Sequence, residues 1–445
     1  MNENRMTEGS IRKLMLSFAL PVFVSQLFQQ LYNTADSVIV GKFLGTDALA
    51  AVGSSGNLIF LLISFFEGVA TGAGILIANR YGARDLKGVR RAVHTDIAFG
   101  FAAGGFMTVV GFFFIGYFLK WINTDADVFP LAMEYYKVYF LGSIGNVVYT
   151  ICRGIMMAVG DSKRPLLYLI FSSVLNVLLD VLFVGVFRWG VWSAALATVI
   201  AQFISAILCI IALIRHGGSA TLYVREIRFY KNELRLVIKY GVPSGVQNSV
   251  IGFANVIVLS QINTFGKIAT AAYGSYSKIE GFAFLPITSF TMSISTFIGQ
   301  NLGAKEYDRA KKGARFGVLS AVIIAELIGV AMYISARPLF SLFTDDAEVI
   351  ALGMKELRTI APFYALLAYS HSVASVCRGA GKAVVPMVIM LSVWCVIRVS
   401  WILITMHLFN DIVFVYWAYP LTWSISSVIY CIYYYASDWV HGFER

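Results

Sequence analysis

The sequence predicts an all-α integral membrane protein with 12 transmembrane helices in two pseudo-twofold-related six-helix bundles. Three observations carry this prediction: the composition, the number of long apolar segments, and an internal repeat. Hydrophobic residues make up 58% of the 445 positions and charged residues 13%, and the mean hydropathy is +0.73. A water-facing surface cannot cover that much apolar side chain, so the solvent is lipid. The apolar runs are continuous and do not alternate every second residue, which favours helices over a membrane β-barrel.

The first segment runs from Ile11 to Val40, IRKLMLSFALPVFVSQLFQQLYNTADSVIV. As a helix it would span about 45 Å, against about 30 Å of hydrocarbon, so it must tilt, bend or protrude. Pro21 is the place to bend and is read as a hinge. Asp36 lies further along. By itself the segment is either a switch or an interfacial helix with an acidic end. No small-residue cleavage site follows it, so the span is expected to stay in the mature protein. The apolar segments as a whole fall near 14–41, 48–79, 92–119, 130–158, 165–187, 189–214, 236–262, 268–300, 313–340, 356–380, 384–409 and 412–437.

Basic residues divide unevenly between the two sides. One side carries Arg5, Arg12, Lys13, the Arg80–Arg91 group, Arg153, Lys163, Arg164, the stretch from Arg215 to Lys239, the Lys305–Arg315 group, Arg378, Lys382 and Arg445. The other has only Lys42, Lys120, Arg188, Lys267 and Arg337. This asymmetry places both termini in the cytoplasm of a multi-pass protein of the cell membrane. It also accounts for the net charge of +10: the cations are spread over many short loops, and no nucleic-acid partner is expected. The five cysteines lie in or beside apolar segments without CxxC spacing, which argues against disulfides and zinc.

GTDALAAVGSSG at Gly45–Gly56 returns as GKIATAAYGSYS at Gly266–Ser277, and YGARDLKGVRRA at Tyr81–Ala92 returns as LGAKEYDRAKKG at Leu302–Gly313, both displaced by 221 positions. Six spans per half is an even number, so the halves enter the membrane in the same sense, a transporter architecture with the substrate between the halves. The expected organisation is an N-terminal lobe over 1–215, a cytoplasmic linker over 216–235 and a C-terminal lobe over 236–445.

The ionisable residues can be weighed directly. Asp36 and Asp180 each sit inside an apolar span, where a carboxylate carries an insertion penalty of about 2.5 to 3.5 kcal/mol. Both fall in the outer half, with Asn176 one turn before Asp180 on the same face. Each acid alone is as readily a packing lock as a functional group; together, at matched depth, they favour ion coupling. Glu280, Glu326 and Arg398 lie in spans eight, nine and eleven, where an acid and Arg398 are expected to neutralise each other. Glu67 reads as unpaired, either a cation-attracting cavity residue or a helix lock. His371 reads as a hydrogen-bonded core histidine before a proton relay. Phe282, Phe284 and Pro286 complete a candidate cavity patch in GFAFLP, with Pro286 expected to interrupt span eight.

YNTADSVIVG, the two GA-containing loops, RGIMMAVGDSKRP, LNVLLDVLF and GVWSAALATVIAQ, in this order and spacing, resemble the multidrug and toxic compound extrusion (MATE) transporters of bacterial type over essentially the whole chain. The resemblance implies two six-helix lobes around a V-shaped cavity and antiport of lipophilic organic cations against H+ or Na+, by a protein acting as a monomer without a cofactor. It also implies a cation-coupling site on the matching positions Asp36, Asn146, Asn176, Asp180 and Thr198, with Na+ at Asp36 and Asp180 as the one metal the chain would suit. Spans seven and ten lack the acids of the NorM-like branch, which puts a second coupling site in question. The rival functions are a lipid or lipid-linked oligosaccharide flippase of the same superfamily, hinted at by Arg398, and a membrane-embedded enzyme. Scattered histidines and the absence of HExxH or a nucleophile elbow argue against an enzyme.

Overall fold

The structure, a computed structural model, describes residues 6–443 apart from Ser55, Ile122, Asn123 and Gly217. Arg5 and Arg445 of the orientation pattern lie outside the described residues, among which there is no β-strand. The helices are α1 (Ile11–Leu44), α2 (Thr46–Ser54), α3 (Gly56–Gly82), α4 (Leu86–Trp121), α5 (Phe129–Leu141), α6 (Ser143–Ala158), α7 (Lys163–Asp180), α8 (Val191–His216) and α9 (Lys231–Asn263). The second half follows with α10 (Lys267–Gly303), α11 (Tyr307–Ile334), α12 (Ala336–Ser341), α13 (Ala347–Ile360), α14 (Tyr364–Gly379), α15 (Val384–Met390), α16 (Arg398–Phe409) and α17 (Ile412–Ala436).

Among the described residues ten helical stretches are individually long and apolar enough to cross a membrane, and α5 with α6 makes an eleventh as a pair bent by 48°. The 27-residue α3 takes the remaining place in a count of twelve. The expected single span over 130–158 is thus two helices. Two further spans contain a widened π turn, Val181–Val186 directly after Asp180 and Leu391–Ile397 directly before Arg398. Such turns leave carbonyls out of the regular ladder and are frequent at functional positions.

The repeat is written into the backbone. Gly45 and Gly266 have φ of 87° and 91°, Arg84 and Lys305 58° and 60°, Gly160 and Gly381 88° and 75°. Each pair is 221 residues apart, the displacement read from the sequence. The left-handed region is costly for arginine and lysine, so its recurrence there marks the same helix-ending turn built twice.

Packing divides the chain into two compact units that exchange arms relative to a cut at the 216–235 linker. One comprises Val24–Val242, the other Met6–Phe23 with Pro243–Arg445. Both crossings fall beside a proline, Pro21 in α1 and Pro243 in α9. In the first unit α6 is the central helix, packed on α3, α4 and α8; in the second α14 holds the equivalent place against α10, α11 and α17.

Each exchanged arm is fixed within its unit. In the second, Met6 N–H donates to Gln300 Oε1 at 2.8 Å, Arg309 donates to the carbonyl oxygens of Met6 and Gly9, and Ser293 Oγ donates to Met15 O. In the first, Arg80 pairs with Glu233 at 2.9 Å, and Gly72 lies so close to α9 that a Cβ there would stand 2.3 Å from Tyr240 O.

Candidate ion-coupling site

α1 and α7 bring Asp36 and Asp180 together in the first unit. Both are buried, and their carboxyl groups lie within side-chain hydrogen-bonding reach of each other. No protein donor serves Oδ1 of Asp36 or either carboxyl oxygen of Asp180. One turn earlier on α7, Asn176 donates through Nδ2 to Thr198 Oγ1 of α8 at 3.4 Å, and Thr198 passes its own hydrogen to Ala194 O. This leaves Asn176 Oδ1 as another buried acceptor without a donor.

Four of the five residues implied by the resemblance therefore form two linked pairs, Asp36 with Asp180 and Asn176 with Thr198. Asn146 is half-buried and held differently, accepting from Thr150 Oγ1 at 3.5 Å. Tyr139 of α5 stands within side-chain reach of Asn146 and of Gln202 on α8. Tyr135 and Tyr139 both lie within electrostatic range of Asp36. Sequence reasoning passed over Tyr135, Tyr139 and Gln202. The one signal available was a glutamine inside the apolar run of α8.

A set of acceptors without donors has a definite chemistry. Desolvated oxygen lone pairs cost free energy unless something positive satisfies them. A proton shared between Asp36 and Asp180 would do so. A bare hard cation held by carboxylate and amide oxygens also suits the donor set, although no group of three or more His, Cys, Asp or Glu side chains positioned for a metal occurs among the described residues.

Several cavity expectations are corrected. Glu67 is paired, its Oε1 lying 3.3 Å from Arg153 Nη2, because Arg153, inside the expected 130–158 span, lies on the face of α6 that meets α3. Pro286 does not interrupt its span: α10 continues through it, and the hydroxyls of Thr288 and Ser289 fold back onto Leu285 O at 2.9 and 2.6 Å. Phe282 is exposed. Phe284 meets the buried His371 ring edge-on at 5.0 Å, and Trp394 meets it at 5.4 Å. His371 Nε2 has no hydrogen-bond partner, so this is not a histidine with both nitrogens satisfied.

Arg398 is fully buried yet makes no ion pair with Glu280 or Glu326. Its guanidinium stacks between Trp394 and Tyr419, 4.7 and 4.6 Å from their centroids, and donates to Thr422 Oγ1 at 2.8 Å. Aromatic faces take the direct contacts, while the Glu280 carboxyl lies within electrostatic range of the guanidinium without an ion pair. Glu326 instead accepts the Ala365 N–H at 3.2 Å. Glu280 has Tyr276 within side-chain reach and Glu356 within electrostatic range. Glu356, which sequence reasoning did not single out, is fully buried without a donor on either oxygen.

A twice-repeated bundle of spanning helices, with a buried carboxylate pair in its first half, defines a membrane transporter of small molecules rather than an enzyme. The chain belongs to the MatE family, whose model matches residues 21–182 and 243–403. It is 29% identical to the probable multidrug resistance protein YoeA of Bacillus subtilis, over 96% of this chain and 94% of that protein. It is 27% identical to the probable multidrug resistance protein YpnP of the same organism, over 88% of each. Among solved structures it is similar to an outward-facing multidrug resistance MATE family transporter of the MOP superfamily, with a TM-score of 0.92 at 20% identity, covering 100% of this chain and 99% of that one.

Proposed function

We propose that the protein is a secondary active efflux transporter of the cell membrane, exchanging lipophilic organic cations for protons by alternating access. Asp36, Asp180, Asn176, Thr198 and Asn146 act as its coupling residues. The observation that carries this reading is the closeness of Asp36 and Asp180, two buried carboxyls of which Asp36 Oδ1 and both Asp180 oxygens have no protein donor. Such a pair is chemically complete with one shared proton, and a site of this kind inside a membrane span is functional by default.

In this reading a proton reaching Asp36 from outside neutralises the first lobe. α1 then bends at Pro21, two residues before the chain passes from one compact unit to the other, and bound substrate leaves outward. The lobes are residues 1–215 and 236–445, joined by the cytoplasmic linker 216–235, with both termini inside and a monomer as the working unit. One charge is worth about 2.3 kcal/mol per 100 mV, so two protons per monovalent cation draws on the membrane potential whereas one-for-one exchange does not.

The test is reconstitution into liposomes with an imposed pH or sodium gradient and a panel of fluorescent organic cations, with a lipid-linked sugar alongside. Cation movement driven by the pH gradient alone supports the proposal. Movement driven only by sodium replaces the ion, and movement of the lipid-linked sugar alone overturns the substrate class.

A further inference from the structure

The segment Tyr223–Lys231, YVREIRFYK, is held rigidly against the start of α4 within the first unit. His94 is fully buried, and its Nε2 accepts the Tyr223 N–H at 3.0 Å. Nδ1 therefore carries the ring proton and donates to Arg90 O. Thr95 Oγ1 accepts the Tyr230 N–H at 3.2 Å. Arg90 bonds Glu226 bidentately, Nε to Oε2 at 2.6 Å, and covers the Tyr223 ring at 4.2 Å. Hydrogen bonding from Arg90 holds the Glu226 carboxyl below the usual glutamate range, so the segment's one acid is spent on this clasp.

What the clasp turns outward is basic and apolar together. Arg225, Arg228, Lys231 and Arg235 are exposed and make no ion pair among the described residues, though Arg228 lies over the Tyr230 ring at 4.8 Å and within electrostatic range of Glu226. Beside them Tyr223, Val224 and Phe229 are 47%, 62% and 49% exposed. Large apolar side chains next to exposed cations without ion pairs, on a connector between two membrane spans, match a membrane interface, where rings and aliphatic groups enter the acyl boundary while guanidinium and ammonium groups meet phosphates.

We propose that Tyr223–Arg235 is an interfacial strap that binds the headgroups of acidic phospholipids, with Arg225, Arg228 and Lys231 as the headgroup contacts and Val224 and Phe229 as the apolar anchors. The strap ties the first unit to an anionic leaflet independently of what the protein transports.

The test uses the full-length protein, delipidated in neutral detergent and titrated with phosphatidylglycerol, phosphatidylcholine or inorganic phosphate while its thermal unfolding is followed. The wild type should be stabilised by phosphatidylglycerol, less so as salt is raised, and not by the other two. The triple variant R225Q/R228Q/K231Q should lose affinity for phosphatidylglycerol by about 100- to 200-fold, at about fivefold per basic residue. The charge-conserving R225K/R228K should keep most of it, and V224S/F229S should weaken it with the salt dependence unchanged. Labelling of an introduced cysteine checks that each variant keeps the wild-type orientation. Equal titrations for wild type and triple variant, or stabilisation by inorganic phosphate matching that by phosphatidylglycerol, would overturn the proposal.

Discussion

Asp36 on α1 and Asp180 on α7 place their carboxyl groups within hydrogen-bonding reach of each other, in a buried position where Asp36 Oδ1 and both Asp180 oxygens meet no protein donor. α1 is also the helix that passes between the compact units, crossing at Phe23 and Val24. One helix thus links a site that lacks a positive charge to the place where the molecule divides.

Gly72→Ala tests how tightly the α9 arm is seated in the first unit. The added methyl would lie 2.3 Å from Tyr240 O, a backbone atom that cannot turn aside. Overpacking of this kind typically costs about 1 to 3 kcal/mol. Thermal unfolding in detergent should fall accordingly, whereas an unchanged midpoint would mean that the arm lifts away at little cost.

Glu67 and Arg153 should behave as a helix lock. At 3.3 Å, with Glu67 36% exposed, solvent screening holds the expected coupling to about 0.5 to 1 kcal/mol in a double-mutant cycle of Glu67→Gln and Arg153→Gln. Efflux by Glu67→Gln should keep the wild-type apparent KM. A large rise in KM with unchanged stability would make Glu67 a substrate contact.

The Arg90–Glu226 clasp has a signed pH dependence. The folded-state value for Glu226 is depressed, so its contribution to holding the strap is complete above the unfolded glutamate value of about 4.3 and is lost as pH falls through the lower folded value. Protection of the Tyr223 amide, its exchange rate corrected for the intrinsic pH dependence, should therefore fall below about pH 4. In Glu226→Gln it should be lower throughout and should lose that acid-dependent step; the same acid step in both proteins would exclude Glu226 as its source.

Much of this was legible in the sequence, because a bilayer imposes length and hydrophobicity on every span and a 221-residue displacement survives as similar turns. Matched depth for Asp36 and Asp180 was legible from their places in apolar runs; their grouping came from the resemblance to the family, since depth alone does not say which helices are neighbours. Partnership was not legible. Arg153 was counted with the cytoplasmic-side cations although its span, 130–158, ends where α6 does; what hydropathy does not give is the face it turns to Glu67 on α3. Arg398 looked like half of a salt bridge because sequence gives no way to see two rings closing over a guanidinium. Hydropathy also gives a span's length without its neighbours, so the exchange of arms at Pro21 and Pro243 left no trace in it.

The central claim concerns the Asp36–Asp180 pair, and Asp36→Asn tests it most directly. The amide keeps the shape, supplies the missing donor and cannot release a proton on the transport cycle. In liposomes with an imposed pH gradient, the account predicts loss of gradient-driven cation efflux at unchanged thermal stability. Efflux at the wild-type rate and with the wild-type dependence on the gradient would contradict it.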